Sequence, residues 1–191
     1  MKKRLDYITL QYEYPDRGKQ ICRQVIPLQP LLQKHYGEEL DCTITSMACI
    51  FGEEHYEQIE AIARRYGYDG EKRGTNPLTV RRIMADFMSS KHMTGTARSG
   101  YGKGIGWRWA TVKRLIARQT PVILNLWDDG RGYYHDHTVT VIGVEEYRKD
   151  RFLLVLDNWN ESVSLIDYKK LSIISSINWV EVEGGQYADH F

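Results

Sequence analysis

Three side chains of this 191-residue chain have the types that thiol chemistry needs, in the order Cys42, His137, Asp157. A thiolate attacks a carbonyl; a thiol hardly does. A helix N-terminus and a nearby imidazolium each favour the anion. The imidazole needs a third group to fix its tautomer and stabilise its charge. The stretch ELDCTITSMACIF supplies the first condition. Asp41 is a good N-cap type, and Ile44, Met47, Ala48 and Phe51 recur at helical spacing, which puts Cys42 in a first helical turn. Cys49 lies deeper in the same helix and reads as core, the usual place for cysteine. Cys22 sits in a charged lead-in segment.

Two apolar alternating runs bring the other two groups together. HTVTVIGV and RFLLVLDNW flank the polar connection VEEYRKDR. A hairpin centred near Tyr147 sets His137 opposite Asp157, Val139 opposite Val155 and Val141 opposite Leu153. Directly opposed residues share a face, with Cβ atoms about 5 Å apart. A one-residue bulge would substitute Asn158 for Asp157. His135 has the same parity as His137 but lies outside the alternating strand, on the rim. The backbone N–H of Cys42, with a side-chain donor from the preceding segment, would complete an oxyanion hole. Tyr133 and Tyr134, in the loop DDGRGYYHDH, are candidate substrate contacts. Trp107 follows the glycine-rich GTARSGYGKGIGW and is another. That run lacks the G-K-[ST] ending of a phosphate loop and follows a helix, so it reads as a mobile loop beside the cleft.

The elements that must position these groups change character along the chain. LDYITLQYEY alternates like a strand and QVIPLQPLLQKHYG reads as extended. Helical patterns follow from Asp41, in EEHYEQIEAIARRYG, from Asn76 with Pro77 at the first helical position, and in ATVKRLIARQ. Beyond Pro121 the pattern is β: PVILNLW, HTVTVIGV, RFLLVLDNW, VSLIDY and INWVEVE. The expectation is one α+β domain over 1–191. It divides into a lead-in strand and extended segment (1–40), a helical lobe (41–120), an antiparallel sheet (121–183) and a flexible tail (184–191).

Composition narrows the function classes. Hydrophobic content of 42%, charged content of 27% and a net charge of +1 describe an ordinary globular chain with no electrostatic case for nucleic acid or anionic membrane. MKKR lacks the apolar stretch of a signal peptide, and no window approaches the roughly 18 apolar residues of a membrane span. The expected location is cytoplasmic. Three cysteines without a C-x-x-C pair fit neither a disulfide framework nor a zinc site. No metal and no cofactor is implied.

The ordered set DCTITSMACIF, PVILNLW, HTVTVIGV and LLVLDNW resembles the papain-like cysteine peptidases, and more closely the bacterial C39-like peptidase group. The resemblance runs from about Gln33 to Trp159. It implies a papain-like fold, a helical lobe with an N-terminal nucleophile helix packed on an antiparallel β-sheet. It also implies a Cys42–His137–Asp157 triad and hydrolysis of a peptide or amide bond in a peptide or protein substrate. Two positions depart from the group. It has DCG where this chain has Asp41-Cys42-Thr43, and an oxyanion glutamine near the position of Tyr36. Gln33 is the candidate in its place. Gly184-Gly185 matches the double glycine that such leader peptidases cut, although a flexible tail is the plain reading. A papain-like domain that binds without cutting, and an acyltransferase of transglutaminase-like chemistry, stay open beside the hydrolase.

Overall fold

The computed structural model describes residues 4–33 and 40–182. Tyr36 and the expected tail 184–191, with its glycine pair, lie outside the described residues. In chain order the elements are α1 (Tyr7–Glu13), β1 (Gln20–Val25), α2 (Cys42–Phe51), a 3-10 turn (Glu53–His55), α3 (Tyr56–Arg64), α4 (Val80–Ser90), β2 (Thr96–Tyr101), α5 (Trp109–Ala117), β3 (Val122–Asp128), β4 (His135–Tyr147), β5 (Arg151–Leu156), β6 (Ser164–Asp167) and β7 (Ser176–Glu181). The sheet order is β2-β7-β3-β4-β5-β6, with β1 beside the second half of β4, and these pairings are antiparallel.

Strand alternation decides which side of the sheet each helix covers. Ile123 and Val180 join a core with residues of α2, α3 and α4 such as Ile44, Met47, Ile59, Ile83 and Phe87. Val122, Leu124, Val139 and Val141 face the other way, against Val112, Leu115 and Ile116 of α5. The result is the expected α+β layout, with the helix that bears Cys42 laid on the antiparallel sheet that bears His137.

Four local expectations need correction. LDYITLQYEY is helix rather than strand. Asp6 caps it by accepting the Thr9 N–H at 2.7 Å, and Tyr7 at its start and Tyr14 just past its end donate to the buried carboxylates of Glu145 and Asp167. Part of the lead-in is strand β1, because the far half of β4 offers it an open edge. The glycine-rich run is strand β2, paired to β7 over six residues, followed by a turn that Trp107 pins by donating to the Ser175 carbonyl at 3.1 Å. α4 starts at Val80 rather than beside Pro77; Asn76 instead holds the preceding turn through the Leu78 N–H at 2.9 Å.

The β4–β5 register also differs. Val141 pairs with Val155 and Thr140 with Leu156, and a shift between Val141 and Gly143 sets Val144 opposite Leu153. The hairpin turns between Arg148 and Lys149 rather than at Tyr147, with the Tyr147 N–H donating to the Asp150 carbonyl at 2.8 Å, and the bulge takes back one residue of the resulting offset. Continued past Leu156, this register brings Trp159 rather than Asp157 level with His137. Gly143 permits the bulge: a Cβ there would sit 2.6 Å from the Gln24 carbonyl oxygen and 3.2 Å from the Leu154 side chain. Gly143→Ala should therefore cost about 1–3 kcal/mol, the usual range for overpacking. Urea denaturation checks this, and a change below about 0.5 kcal/mol would show that β1 and β5 give way at no cost.

Candidate active site

α2 begins at Cys42, but Asp41 does not cap it as expected: its carboxylate accepts no backbone N–H of the helix. That carboxylate is fully buried and accepts from three side chains: Gln33 Nε2 at 2.5 Å, the Tyr56 hydroxyl at 2.6 Å and the Thr45 hydroxyl at 3.2 Å. Desolvation and the Asp41 charge push the Tyr56 phenol well up. Asp41 thus ties the Gln33 segment, α2 and α3 together beneath the cysteine. Gln33 is tied in again by its backbone N–H, which donates to the Asn158 carbonyl at 2.9 Å.

Cys42 and His137 line one cleft of about 310 Å³. Thr138 and Asn125 face α2, whereas the paired residues His137 and Leu126 take the opposite face; the cleft passes over the end of the sheet and meets both. The thiol is pushed up chiefly by burial and further by the Asp41 carboxylate, while the hydroxyl and backbone N–H of Thr138 act against this. Among the described residues no hydrogen bond joins the thiol to the imidazole.

The imidazole is held from behind. His137 Nε2 lies 2.8 Å from the backbone carbonyl oxygen of Asp157. A carbonyl can only accept, so Nε2 carries the proton and Nδ1 is left as the basic nitrogen. Trp159 stacks on the ring with centroids 4.0 Å apart, and Tyr134 lies nearly parallel to it at 5.6 Å. This packing leaves His137 only 4% exposed, and burial lowers its pKa from 6.5 to about 4. The Asp157 carbonyl, the Asp157 charge and the Asp41 charge oppose the shift without cancelling it.

Asp157 therefore meets His137 through its main chain. Its carboxylate accepts from the Tyr134 hydroxyl at 2.8 Å, the Ser164 hydroxyl at 2.7 Å and the backbone N–H groups of Trp159 and Asn160 at 3.0 and 2.9 Å. Asn158 bridges in the other direction. At φ +63° it turns its amide onto α2 and β4, donating to the Cys42 carbonyl at 3.1 Å, Ser46 Oγ at 2.8 Å and the Thr138 carbonyl at 3.2 Å. Sequence reasoning points to Asn158 only as a bulge alternative, and not to Trp159 or Thr138. The signal available was the run LDNWN, whose Asp-Asn pair suits a tight turn.

The candidate substrate contacts separate. Tyr134 and Trp107 are 1% exposed and serve the core, Tyr134 on Asp157 and Trp107 on Ser175. Tyr133 is half-buried against Tyr134 and Trp159. His135 is exposed beside Asp128. Cys49 is in the core, donating to the Gln29 carbonyl at 3.2 Å, and burial raises its pKa to about 11. The described residues hold no cluster of three or more metal-ligating acids, histidines and cysteines, and no helix long and apolar enough to cross a membrane.

No protein-family model matches the chain, and no curated protein sequence matches it. In structure it is similar to a double glycine motif protease from an AMS/PCAT transporter, solved in complex with the leader peptide. The identity is 13% and the TM-score 0.47, over 85% of this chain and 98% of that one. A likeness of this size carries no argument about chemistry, which has to come from the cleft itself.

The His137 shift has a consequence for stability. Between pH 6.5 and about 4 the unfolded chain binds a proton there that the folded chain refuses, so stability is lost as pH falls through this window. At ~1.4 kcal/mol per pKa unit the full loss is about 3 kcal/mol. Urea midpoints from pH 7 to 4 should fall less steeply for His137→Gln than for the natural protein. Parallel curves would mean that the ring is solvated.

Proposed function

We propose that the protein is a thiol-dependent hydrolase of a peptide or amide bond, of papain-like, C39-like type, with Cys42 as nucleophile and His137 as base. The observation that carries this reading is the shared cleft, with His137 Nε2 tied back so that Nδ1 remains as the base. Burial keeps both groups neutral at rest, raising the thiol and lowering the imidazole. The proton therefore moves during attack rather than before it. The Cys42 sulfur turns from Thr138 and bonds to the substrate carbonyl carbon as Nδ1 takes the thiol proton. The carbonyl oxygen becomes an oxyanion beside the free N–H groups of the first turn of α2. The C–N bond then breaks, and His137 returns the proton to the leaving amine. Water, deprotonated by the same nitrogen, releases the acid and the free thiol. Gln33 supplies the second oxyanion donor in this scheme, through the amide hydrogen not held by Asp41. The reaction needs the reduced thiol, as in a cytoplasm.

A second reading, peptide binding without cleavage, draws on two observations: Gln33 is engaged by Asp41, and no hydrogen bond joins the thiol to the ring among the described residues. Alkylation across pH separates the two. For a hydrolase, Cys42 reacts at pH 6, far faster than Cys49, and His137→Ala moves its reactivity to the alkaline range of an isolated thiol. If Cys42 already follows the alkaline profile of a free thiol, the nucleophile assignment fails. Mass spectrometry of products with and without an added amine then distinguishes hydrolysis from acyl transfer.

The role of Asp157 makes a sharper prediction. Losing an orienting carboxylate costs about 10⁴-fold in a triad where the acid itself holds the histidine. Here the carbonyl holds it, so Asp157→Asn should lower turnover by about tenfold or less while lowering stability by about 1–3 kcal/mol. A loss near 10⁴-fold in a folded variant would mean that the carboxylate reaches His137 during turnover.

A further inference from the structure

The floor of the cleft is polar although its walls are not. Thr138, Asn125 and Ser176 are successive cross-strand partners on β4, β3 and β7, so their side chains form one row on the α2 face of the sheet. Thr43, next to Cys42, meets the row at 2.8 Å between hydroxyl oxygens. The Thr138 hydroxyl donates to Asn125 Oδ1 at 3.0 Å, and Asn125 Nδ2 donates to Ser176 Oγ at 3.3 Å.

The donor count in this row does not balance. Asn125 Oδ1 only accepts, so while the Cys42 thiol is protonated the Thr138 proton goes to Asn125 and Thr43 donates to Thr138. Asn125 spends one amide hydrogen on Ser176 and keeps a second. Ser176 accepts that bond and keeps its own proton. Among the described residues no acceptor serves either leftover hydrogen. Both side chains are nearly buried, at 5% and 3% exposure, and both line the cleft with Cys42 and His137. Donors that face the cleft are served by water until a ligand brings an acceptor, and a ligand that lacks one leaves them unpaired and is disfavoured.

We propose that Asn125 and Ser176 form a recognition subsite for a neutral carbonyl oxygen of the substrate, distinct from the carbonyl under attack. Among the described residues that line the cleft, Asp136 is the charged one besides the titratable pair, and none is a lysine or arginine. A carboxylate would thus be desolvated without a counter-charge, whereas a peptide carbonyl needs only the two donors. Leu126, Trp127 and Ile174 offer apolar wall to the rest of such a group. The substrate class narrows to acyl compounds with a second, main-chain carbonyl near the scissile bond: peptides rather than simple amides. This inference rests on the thiol-hydrolase reading.

Two irreversible probes test it. One is an N-acetyl dipeptidyl vinyl sulfone; the other has the main-chain carbonyl nearest the electrophile replaced by methylene. Inactivation rates are normalised, variant by variant, to labelling of Cys42 by methyl methanethiosulfonate, which has no carbonyl. The natural protein should prefer the carbonyl probe by about tenfold, the worth of a good hydrogen bond. Ser176→Ala removes one of the two donors and Asn125→Asp, nearly isosteric, the other, so each should lower that ratio by about threefold or more; thermal melts establish that each variant is folded. A ratio that stays near tenfold in both folded variants overturns the subsite, as does a natural protein that treats the two probes alike. If methyl methanethiosulfonate does not label Cys42 ahead of Cys22 and Cys49 at pH 6, the thiol-hydrolase reading itself has failed, and the subsite falls with it.

Discussion

The turn after β5 hangs on one buried carboxylate. Asp157 is fully buried and accepts bonds from Tyr134, Ser164 and the backbone of the two residues that follow Asn158. An acid so enclosed has to be satisfied on every side, because leaving a lone pair unpaired in the interior is costly. Satisfying it fixes the path of residues 157–160. That path aims the Asp157 carbonyl at His137, lays Trp159 on the imidazole and turns the Asn158 amide onto α2 and β4. A single desolvated charge thereby sets the tautomer of the ring, its packing and the seat of the helix that bears Cys42.

A second buried acid, Asp41, performs the matching task on the helix side. Tyr56, Thr45 and Gln33 all donate to it, so α3 and the segment before α2 are fastened to the residue preceding the cysteine. Neither carboxylate contacts the imidazole. Their influence on His137 is long-range attraction for its cation, and burial outweighs it. The balance leaves a neutral thiol near a neutral imidazole, in contrast to a preformed ion pair, and Thr43, Ser46, Thr138 and Thr140 add a polar stretch to the seam between α2 and the sheet, beside the aliphatic contact of Ile44 and Met47 with Ile123.

The sequence was most readable where periodicity is strong. The helical faces of α2, α3 and α5 and the strands from Val122 onward follow from spacing alone. So does the pairing of a helix-borne Cys42 with a strand-borne His137, because a three- to four-residue period and a two-residue period are distinguishable in one dimension. It misled where a long-range partner overrides a local pattern. LDYITLQYEY alternates, yet Asp6 caps a helix there whose two ends, Tyr7 and Tyr14, reach the buried acids Glu145 and Asp167. The glycine-rich run GTARSGYGKGIGW becomes strand β2 because β7 offers it a ladder.

What the chain determined by itself was the candidate side chains, their order and the α+β class, since side-chain type and periodicity are local properties. Which atom of Asp157 meets His137 was decided only by the tertiary structure. The hairpin turns between Arg148 and Lys149 instead of at Tyr147, a placement that the polar run VEEYRKDR leaves open, and the demand of a buried carboxylate for donors draws Asp157 away from the ring. The same holds for the row Thr138–Asn125–Ser176: its members come from three strands scattered along the chain, and only hydrogen-bonded register makes them neighbours with protons to spare.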